Sequence, residues 1–359
     1  MSRARGRHVP EDDPMQQTQL FAQVSDAGAT TVLPPTVDTP RRRRPGRMLL
    51  VVVASVLAVL VFYGLLLLVV AYAGLDRVEA FPDGARPAPA PGHTWLVVGS
   101  DSRDDLTDEQ KQELSTGSSS GQLTDTIMML TTAPDGVATL ISIPRDSLVE
   151  IPGFGQNKIN AAYSLGGAPL LVQTVEQATG VRIGGYVEVG FDGFYEIVEA
   201  VGGVEVCLEA PIADERAGID LPAGCQTLGG ADALGYVRTR YTDPNGDFGR
   251  VERQREFVAA LAATVATPQV LLNPLRAVPL AAAAGDALVV DDDAGPVDLG
   301  RFGLATLRAS GAGGQMLTVP FGGYATTSAG SVVLWDEAEA EALFSAIREG
   351  TAVPERLIA

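Results

Sequence analysis

The sequence predicts a mixed α/β fold, with a central β-sheet that carries helices on both faces, behind one N-terminal transmembrane helix. One long uncharged apolar run comes first, and short apolar runs then alternate with segments of helical spacing. Such alternation is typical of a sheet covered by helices. The 359 residues, of which 46% are hydrophobic, are enough to build one large core.

The N-terminal part predicts a membrane anchor. Residues 1–47 are polar and rich in proline and threonine, so we expect a disordered tail. Residues 48–73 carry no charge and exceed the roughly 20 residues that span a bilayer. Arginines cluster at 41–47, so the positive-inside rule predicts a cytoplasmic tail and an extracytoplasmic domain, hence a single-pass protein of the cell membrane. Residues 74–93 are Pro/Ala-rich and predict a stalk, which leaves 94–359 for the folded domain.

Within that domain, apolar runs between turn residues predict strands and helical spacing predicts helices. The predicted strands are Thr94–Gly99, Thr126–Thr132, Val137–Ile143, Tyr186–Val189, Val204–Leu208, Leu317–Pro320 and Ser331–Leu334. The predicted helices are Pro169–Ala178, Asp192–Ala200, Gly230–Tyr236, Phe248–Thr267 and Asp336–Arg348. The turn residues 133–136 predict a hairpin, and Gly180 predicts a helix end. The patterns weaken after residue 270.

The composition argues against several classes of partner and catalytic site. The net charge of −18 argues against nucleic acid as the main partner, because duplex binding needs a broad basic surface. His8 and His93 are the two histidines, and neither lies inside the predicted domain's motifs, which disfavours a histidine-based triad or zinc site. Cys207 and Cys225 are the two cysteines, and outside the cytoplasm such a pair predicts a disulfide; two free buried thiols are the alternative.

An arginine-rich stretch, residues 236–257, is the main candidate for binding an anion. In an extended segment Arg238 and Arg240 would point the same way, since residues two apart share a face. If a helix follows, one stripe holds Arg250, Arg253, Gln254 and Phe257, because positions three and four apart are neighbours. Converging guanidinium groups match phosphate oxygens. The alternative is a solvated helix face neutralised by glutamates, and we assign Arg255 to that outer face.

Carboxylates and further cations follow the predicted strands. Asp101 ends the first strand, Asp125 begins the second, and Arg145 follows the third, with Lys158 and Asn160 in the next loop. Ligand sites collect at strand ends in α/β sheets, and two carboxylates with phosphate oxygens suit Mg²⁺. Each carboxylate alone would more simply cap a turn; the set points to one rim of one sheet.

These motifs together resemble the LytR-CpsA-Psr family. The matching segments are GSDSR, TDTIMML, ISIPRD, KINAAY, VGGVEV and YVRTRY followed by GDFGRVERQ, dense over residues 95–266. The resemblance implies a transferase that moves a glycopolymer from a polyprenyl-pyrophosphate carrier onto the muramic acid 6-hydroxyl of peptidoglycan. The membrane lipid would supply the carrier, and Mg²⁺, or Mn²⁺ in its place, would assist.

The resemblance also implies residue roles. Asp101 and Asp125 match the metal-binding carboxylates, and Asp247 matches the proposed general base. The positions that match phosphate contacts are Arg103, Arg145, Arg238, Arg240, Arg250 and Gln254, with Lys158 and Asn160 beside them. Leu123 departs from the family, which often has arginine there.

Two alternatives stay open from the sequence: a protein that binds or senses polyprenyl pyrophosphates without transfer, and a pyrophosphatase that uses water as the acceptor. A lipid substrate also requires an apolar groove. The residues considered for it are Leu148, Ile151, Leu171, Val175, Phe194 and Ile197, each of which would otherwise be ordinary core.

Overall fold

The computed structural model describes residues 45–100, 124–239, 247–311 and 313–358. Its helices are α1 (Pro45–Ala73), α2 (Ala161–Thr179), α3 (Phe191–Val201), α4 (Gly230–Arg238), α5 (Asp247–Val265), α6 (Pro268–Leu271), α7 (Pro274–Ala287), α8 (Pro296–Ala309) and α9 (Glu337–Glu349). Its strands are β1 (Asp76–Val78), β2 (His93–Ser100), β3 (Thr124–Thr132), β4 (Ala138–Ile143), β5 (Leu148–Ile151), β6 (Gly155–Lys158), β7 (Gly185–Val189), β8 (Val204–Leu208), β9 (Ile212–Asp214), β10 (Ile219–Leu221), β11 (Gly224–Leu228), β12 (Leu288–Asp291), β13 (Gln315–Thr318), β14 (Phe321–Thr327) and β15 (Gly330–Trp335).

Helix α1 has the length and composition of a membrane span. Met48–Ala73 has 26 residues and a mean hydropathy of 2.9, and its apolar side chains are exposed rather than packed in a core. A core helix of a soluble domain would bury such residues. One N-terminal apolar helix of this kind suggests a single-pass membrane protein.

The centre of the domain is a seven-stranded mixed sheet in the order β1–β12–β7–β2–β3–β4–β13. β2 is parallel to β7 and antiparallel to β3, and β3 is antiparallel to β4, which confirms the predicted hairpin at 133–136. β12 is antiparallel to β7 and parallel to β1, while β13 is parallel to β4. β2, β4 and β7 therefore all run in one direction.

Both faces of this sheet are buried, as the predicted fold class requires. One face packs Leu96, Ile127 and Met129 against apolar residues of α2 and α9. The other face packs Trp95, Met128 and Leu140 against α8 and Val258 of α5. Strands buried on both faces have continuous apolar sequences, which is why β2, β3, β4 and β7 could be predicted from the sequence.

Helix α2 extends the predicted helix toward its N-terminus. Gly166 and Gly167 have non-helical backbone angles, so Pro169 begins a second helical part as predicted. The helix ends at Gly180, whose φ of 66° is the left-handed conformation that glycine adopts at little cost.

Residues 74–93 differ from the predicted stalk, because they belong to the folded domain. β1 pairs with β12, and Ala80 is part of the core under α2. Arg86 donates two hydrogen bonds to the buried Glu176 carboxylate, at 3.0 and 2.6 Å, and a third to the Ile183 carbonyl. A buried carboxylate needs such a partner, so this ion pair fixes the segment against α2.

A second lobe has its own apolar core. Val198 and Val201 of α3, Val204 and Val206 of β8, and Phe257 of α5 are among its buried residues. β8 pairs with β11, and β9 with β10, in two-stranded sheets. The sequence located β8 and α3–α5, but not β9–β11, which are short and only half buried.

The disulfide lies in this lobe, as predicted. Cys207 and Cys225 are directly opposite one another in the β8–β11 pair and are bonded. The bond closes a separation of 18 residues that includes β9 and β10. It holds together a two-stranded sheet that would be marginal alone.

Arg255 differs from its predicted place on the outer face of α5. It is half-buried, and its Nη2 donates to the carbonyl of Met316 in β13. Burial lowers the pKa of its guanidinium. The residue links α5 to the edge of the central sheet rather than facing solvent.

We expect Cys225→Ser to lower the free energy of unfolding by about 3 kcal/mol, because the unfolded chain regains the closed loop's entropy. Urea unfolding of wild type and variant measures this. Cys207→Ser should have the same effect, and the double variant no more than either. Equal stability of oxidised and reduced wild-type protein would contradict the assignment.

Replacing Arg255 by glutamine should cost about 1.5–3 kcal/mol, the worth of a hydrogen bond from a charged group. Arg301→Gln is the matched control, because Arg301 is 63% exposed and pairs with Asp298 one turn away. The control should change stability by less than about 0.5 kcal/mol. Equal effects of both substitutions in urea titrations would argue against the link.

Candidate functional site

Parallel alignment brings the predicted site segments to one edge of the sheet. β2 ends at Ser100, β4 at Ile143 and β7 at Val189, all on the same side, and Asp101 is the residue that follows β2. β3 is antiparallel and begins there, with Thr124 opposite Ser100 and Asp125 at a break in the pairing. With strands about 4.8 Å apart, β7 and β4 are separated by about 14 Å. We call the edge at which β2, β4 and β7 end and β3 begins the site edge.

Helix α5 turns its arginines inward. Arg250, Arg253, Gln254 and Phe257 are all buried, whereas Glu252 and Glu256 are exposed. The predicted stripe is therefore confirmed, and the alternative of a solvated arginine face is wrong for Arg250 and Arg253. Buried guanidinium groups require polar partners, so their positions are fixed.

Two of these side chains hold the end of α4. Gln254 Nε2 donates to the Val237 carbonyl at 3.2 Å, and Arg253 Nη2 donates to the Thr239 carbonyl at 2.5 Å. Both carbonyls flank Arg238. Arg238 is the last residue of α4, so it lies on a helix end rather than in the extended segment considered from the sequence.

The Arg238 guanidinium lies over an aromatic ring beside the site edge. Its Cζ is 4.9 Å from the centroid of the Phe191 ring, and Phe191 is the first residue of α3, directly after β7. A cation–π contact of this kind orients the guanidinium. Arg238 thus reaches the site edge on the β7 side.

The loop after β4 holds a second group of cations. Lys158 Nζ is 2.7 Å from Asp146 Oδ1, and Arg145 Nε is 3.6 Å from Asp146 Oδ2. The Asn160 backbone N–H donates to the Arg145 carbonyl at 3.2 Å, and Asn160 precedes α2. The loop therefore brings Arg145 and Lys158 together on the β4 side of the site edge, around the Asp146 carboxylate, which partly neutralises their charges. Asn160 lies next to them through its backbone hydrogen bond.

The remaining predicted residues are only partly described. Asp101, Arg103, Leu123 and Arg240 lie outside the described residues, as do the side chains of Asp125 and Asp247. The backbone places Asp125 in β3 and Asp247 at the start of α5. Elsewhere in the described chain, no cluster of three or more histidine, cysteine, aspartate or glutamate side chains is arranged for a metal.

A buried carboxylate beneath the site edge was not found from the sequence. Glu188 accepts hydrogen bonds from the hydroxyls of Tyr163, at 2.7 Å, and Tyr186, at 2.6 Å. Burial and the Glu188 charge raise the pKa of both phenols, so they stay protonated donors. Tyr163 is also hydrogen-bonded to Ser100, the residue before Asp101. Tyr186 and Glu188 are two residues apart on β7, so the sequence could have indicated that their side chains share a face of the sheet. Nothing in the sequence indicated that Tyr163 of α2 is their partner.

An apolar cavity of about 260 Å³ lies between the sheet and helices α3, α4, α5 and α8. Its walls include Phe191, Phe194 and Ile197 of α3, and Gln254 and Phe257 of α5. Of the groove residues considered from the sequence, Phe194 and Ile197 line this cavity. Ile151, Leu171 and Val175 are fully buried in the core on the opposite face, and Leu148 is half-buried on β5.

The cavity and the cations share residues. Phe191 forms part of the cavity wall and carries Arg238 on its ring, and Gln254 both lines the cavity and holds the end of α4. The arrangement can accept a molecule with an apolar chain and an anionic head, the chain in the cavity and the head near the guanidinium groups.

Comparisons with known proteins agree with this reading of the fold. A "Probable cell wall biosynthesis protein LcpB" of Corynebacterium glutamicum is 45% identical over 338 residues, 92% of this chain and 80% of LcpB. The polyisoprenyl-teichoic acid–peptidoglycan teichoic acid transferase TagU of Enterococcus faecalis is 40% identical over 172 residues. That match covers 47% of this chain and about half (52%) of TagU.

A solved structure gives the same fold. The LytR-Csp2A-Psr enzyme of Actinomyces oris superposes with a TM-score of 0.62 at 22% identity, over 77% of this chain and 96% of that one. The model of the LytR_cpsA_psr family matches residues 88–323, about two thirds of the sequence. The chain therefore belongs to the LytR-CpsA-Psr family.

Proposed function

We propose that this protein is a phosphotransferase that moves a glycopolymer from a polyprenyl-pyrophosphate carrier onto a muramic acid 6-hydroxyl of peptidoglycan. The observation that carries the proposal is the apolar cavity whose wall residue Phe191 supports the Arg238 guanidinium. Relatives named for cell wall biosynthesis and for transfer of teichoic acid to peptidoglycan support it.

The cavity suits the lipid part of such a substrate. Its walls are aromatic and aliphatic, and burying each CH₂ group of a polyprenyl chain there would contribute about 0.8 kcal/mol. A soluble sugar phosphate would leave this surface unused. The cavity therefore favours a lipid-linked donor over a free nucleotide sugar.

The arginines suit the pyrophosphate. In the proposed complex Arg238, Arg240, Arg250, Arg103 and Arg145 neutralise it, with Lys158 and Asn160 on the β4 side. Phosphoryl transfer asks the protein mainly for positioning and charge stabilisation, which fixed guanidinium groups provide. Arg253 and Gln254 act by positioning, because they hold the carbonyls on either side of Arg238.

The reaction would break the phosphoanhydride bond of the pyrophosphate and form a new phosphoester bond to the muramic acid oxygen. The 6-hydroxyl oxygen attacks the phosphorus that bears the glycopolymer, and the bond from that phosphorus to the bridging oxygen breaks. Polyprenyl phosphate leaves with the bond's electrons. Asp247 takes the hydroxyl proton in this scheme; it begins α5, three residues before Arg250, so base and phosphate donor share one helix end.

We propose that Asp101 and Asp125 hold a magnesium ion at the middle of the site edge. Asp125 belongs to β3, which begins beside the end of β2, and Asp101 is the next residue after β2 in the sequence. Two carboxylates with phosphate oxygens are the hard oxygen ligands that Mg²⁺ or Mn²⁺ takes. When bound, the ion would neutralise charge that develops on the pyrophosphate.

The proposed substrate, peptidoglycan, also implies on which side of the membrane the domain lies. We propose that the domain lies outside the cell membrane, with the N-terminal tail in the cytoplasm. The arginines before α1 and the Cys207–Cys225 bond both support this orientation, because disulfides persist outside the cytoplasm. A bond found intact after acid trapping of whole cells would test it.

Two substitutions at the site distinguish an enzyme from a binding protein. Arg238→Ala should weaken both lipid-pyrophosphate binding and transfer, because the guanidinium would contact the pyrophosphate in the bound substrate and again in the transition state. Asp125→Asn should lower transfer by about 100-fold but change lipid affinity by no more than about threefold. Lipid affinity and transfer to peptidoglycan are measured on the same full-length samples with magnesium present.

Three outcomes decide this test. Tight lipid binding by wild type without transfer or pyrophosphate hydrolysis would replace the enzyme by a binding protein. Hydrolysis without transfer to peptidoglycan would make it a pyrophosphatase. Equal losses of affinity and turnover in Asp125→Asn would contradict the role assigned to that carboxylate.

A substitution in the cavity wall tests whether the cavity binds the lipid chain. Ile197→Phe should reduce its volume and weaken binding of a long-chain polyprenyl pyrophosphate by about tenfold. Inorganic pyrophosphate should bind as before, since Arg238 and its neighbours are unchanged. Leu165→Phe is the matched control, because Leu165 is 44% exposed on α2 and lies outside the cavity. If both variants bound the lipid like wild type, the cavity would not be its site.

A further inference from the structure

Helices α6 and α7 expose an apolar surface to solvent. Residues 268–285 contain a single charged residue, Arg276. Leu271, Leu272 and Leu275 are 40%, 63% and 86% exposed. The opposite side of the same segment is firmly held, because Val270, Ala277 and Leu280 are buried in the domain. The leucines are thus exposed on a fixed scaffold, and we call residues 271–275 the leucine surface.

The C-terminal end of α7 meets the end of the apolar helix α1. Gly285 lies so close to Ala71 that a Cβ atom at Gly285 would overlap the Ala71 carbonyl oxygen. Gly74 approaches Asp286 in the same way. Ala71 belongs to the last turn of the uncharged run, where a membrane span meets the headgroup region. The end of α7 is therefore located at that depth.

We propose that α6 and α7 lie on the bilayer surface, with the leucine surface inserted among the lipids of the leaflet that α1 exits. Leu275 is ten residues before Gly285, about 15 Å along the helix, so it is within reach of the same interface. Apolar residues on one side of an otherwise packed helix are the usual means of such attachment.

The charge distribution agrees with this partner. Asp and Glu are absent from residues 268–285, so the leucine surface itself presents no like charge to anionic headgroups. The next carboxylate along the chain is at the other end of α7, where Asp286 interacts with Glu196 of α3. Arg276 stands next to Leu275 and is exposed, as a residue that pairs with lipid phosphates would be. In a chain of net charge −18, this is an unusual surface to leave free of carboxylates.

Attachment at α7 would also set the distance between the site edge and the bilayer surface. α7 leads directly into β12, whose first residue, Leu288, pairs with Val189 at the end of β7. The C-terminal end of α7 is thus one residue step from the site edge, and the leucine surface lies at the other end of the same helix. A second attachment beside α1 would stop the domain from tilting the site away from the membrane.

The test uses the full-length protein in nanodiscs that contain anionic lipid, with an environment-sensitive nitrobenzoxadiazole label at one introduced cysteine. Leu275→Cys is the probe. Val297→Cys is the matched control, because Val297 is 64% exposed and is the second residue of α8. α8 follows β12 at the sheet edge opposite the site edge. The native cysteines are bonded and do not take the label.

We expect nitroxide-bearing lipids to quench the label at 275 by at least about twofold, and aqueous cobalt to quench it weakly. The label at 297 should show the reverse. Leu272→Cys repeats the measurement at a neighbouring exposed position. Quenching at 275 by cobalt alone would overturn the proposal, since the surface would then face water. Protection from both quenchers would also overturn it, since a second copy of the chain would then cover the leucines.

Discussion

The parallel alignment of β2, β4 and β7 is the constraint on which the site depends. Because these strands run in one direction, the segments that follow them leave the sheet at a common edge. β3 begins at that edge because it pairs antiparallel with β2. Four stretches that are distant in sequence, near residues 101, 125, 145 and 191, are therefore neighbours before any side chain is considered. The family likeness in the sequence follows these strand ends.

Helix α5 connects the edge to the second lobe through buried polar groups. Arg253 and Gln254 satisfy carbonyls that the end of α4 leaves without helical partners, so the helix end is fixed from outside. Arg255, on another side of the helix, reaches β13 across the sheet. These contacts on two sides hold α5 in the orientation that buries Arg250 and Arg253.

The sequence predicted β2, β3, β4, β7 and β13 of the central sheet because each is a buried apolar run, and the inward stripe of α5 because helical spacing is regular. It did not predict β12, whose short apolar run leads into three aspartates, or β1, whose three residues include Asp76 and Arg77. It also missed α7, since an alanine-rich segment with two prolines has no clear apolar period. The Glu188 network was out of reach because Tyr163 and Glu188 are 25 residues apart and meet only through packing.

The second lobe has a core of its own and supplies much of the site. Its two-stranded sheets would be marginal alone, and a disulfide joins one of them. The same lobe carries α3 and α4, hence Phe191 under Arg238 and the aliphatic wall of the cavity. Loss of the lobe would open the cavity and release Arg238 together, because both depend on α3 and α4. The site therefore depends on the lobe for its cavity and on the sheet for the alignment of its strand ends.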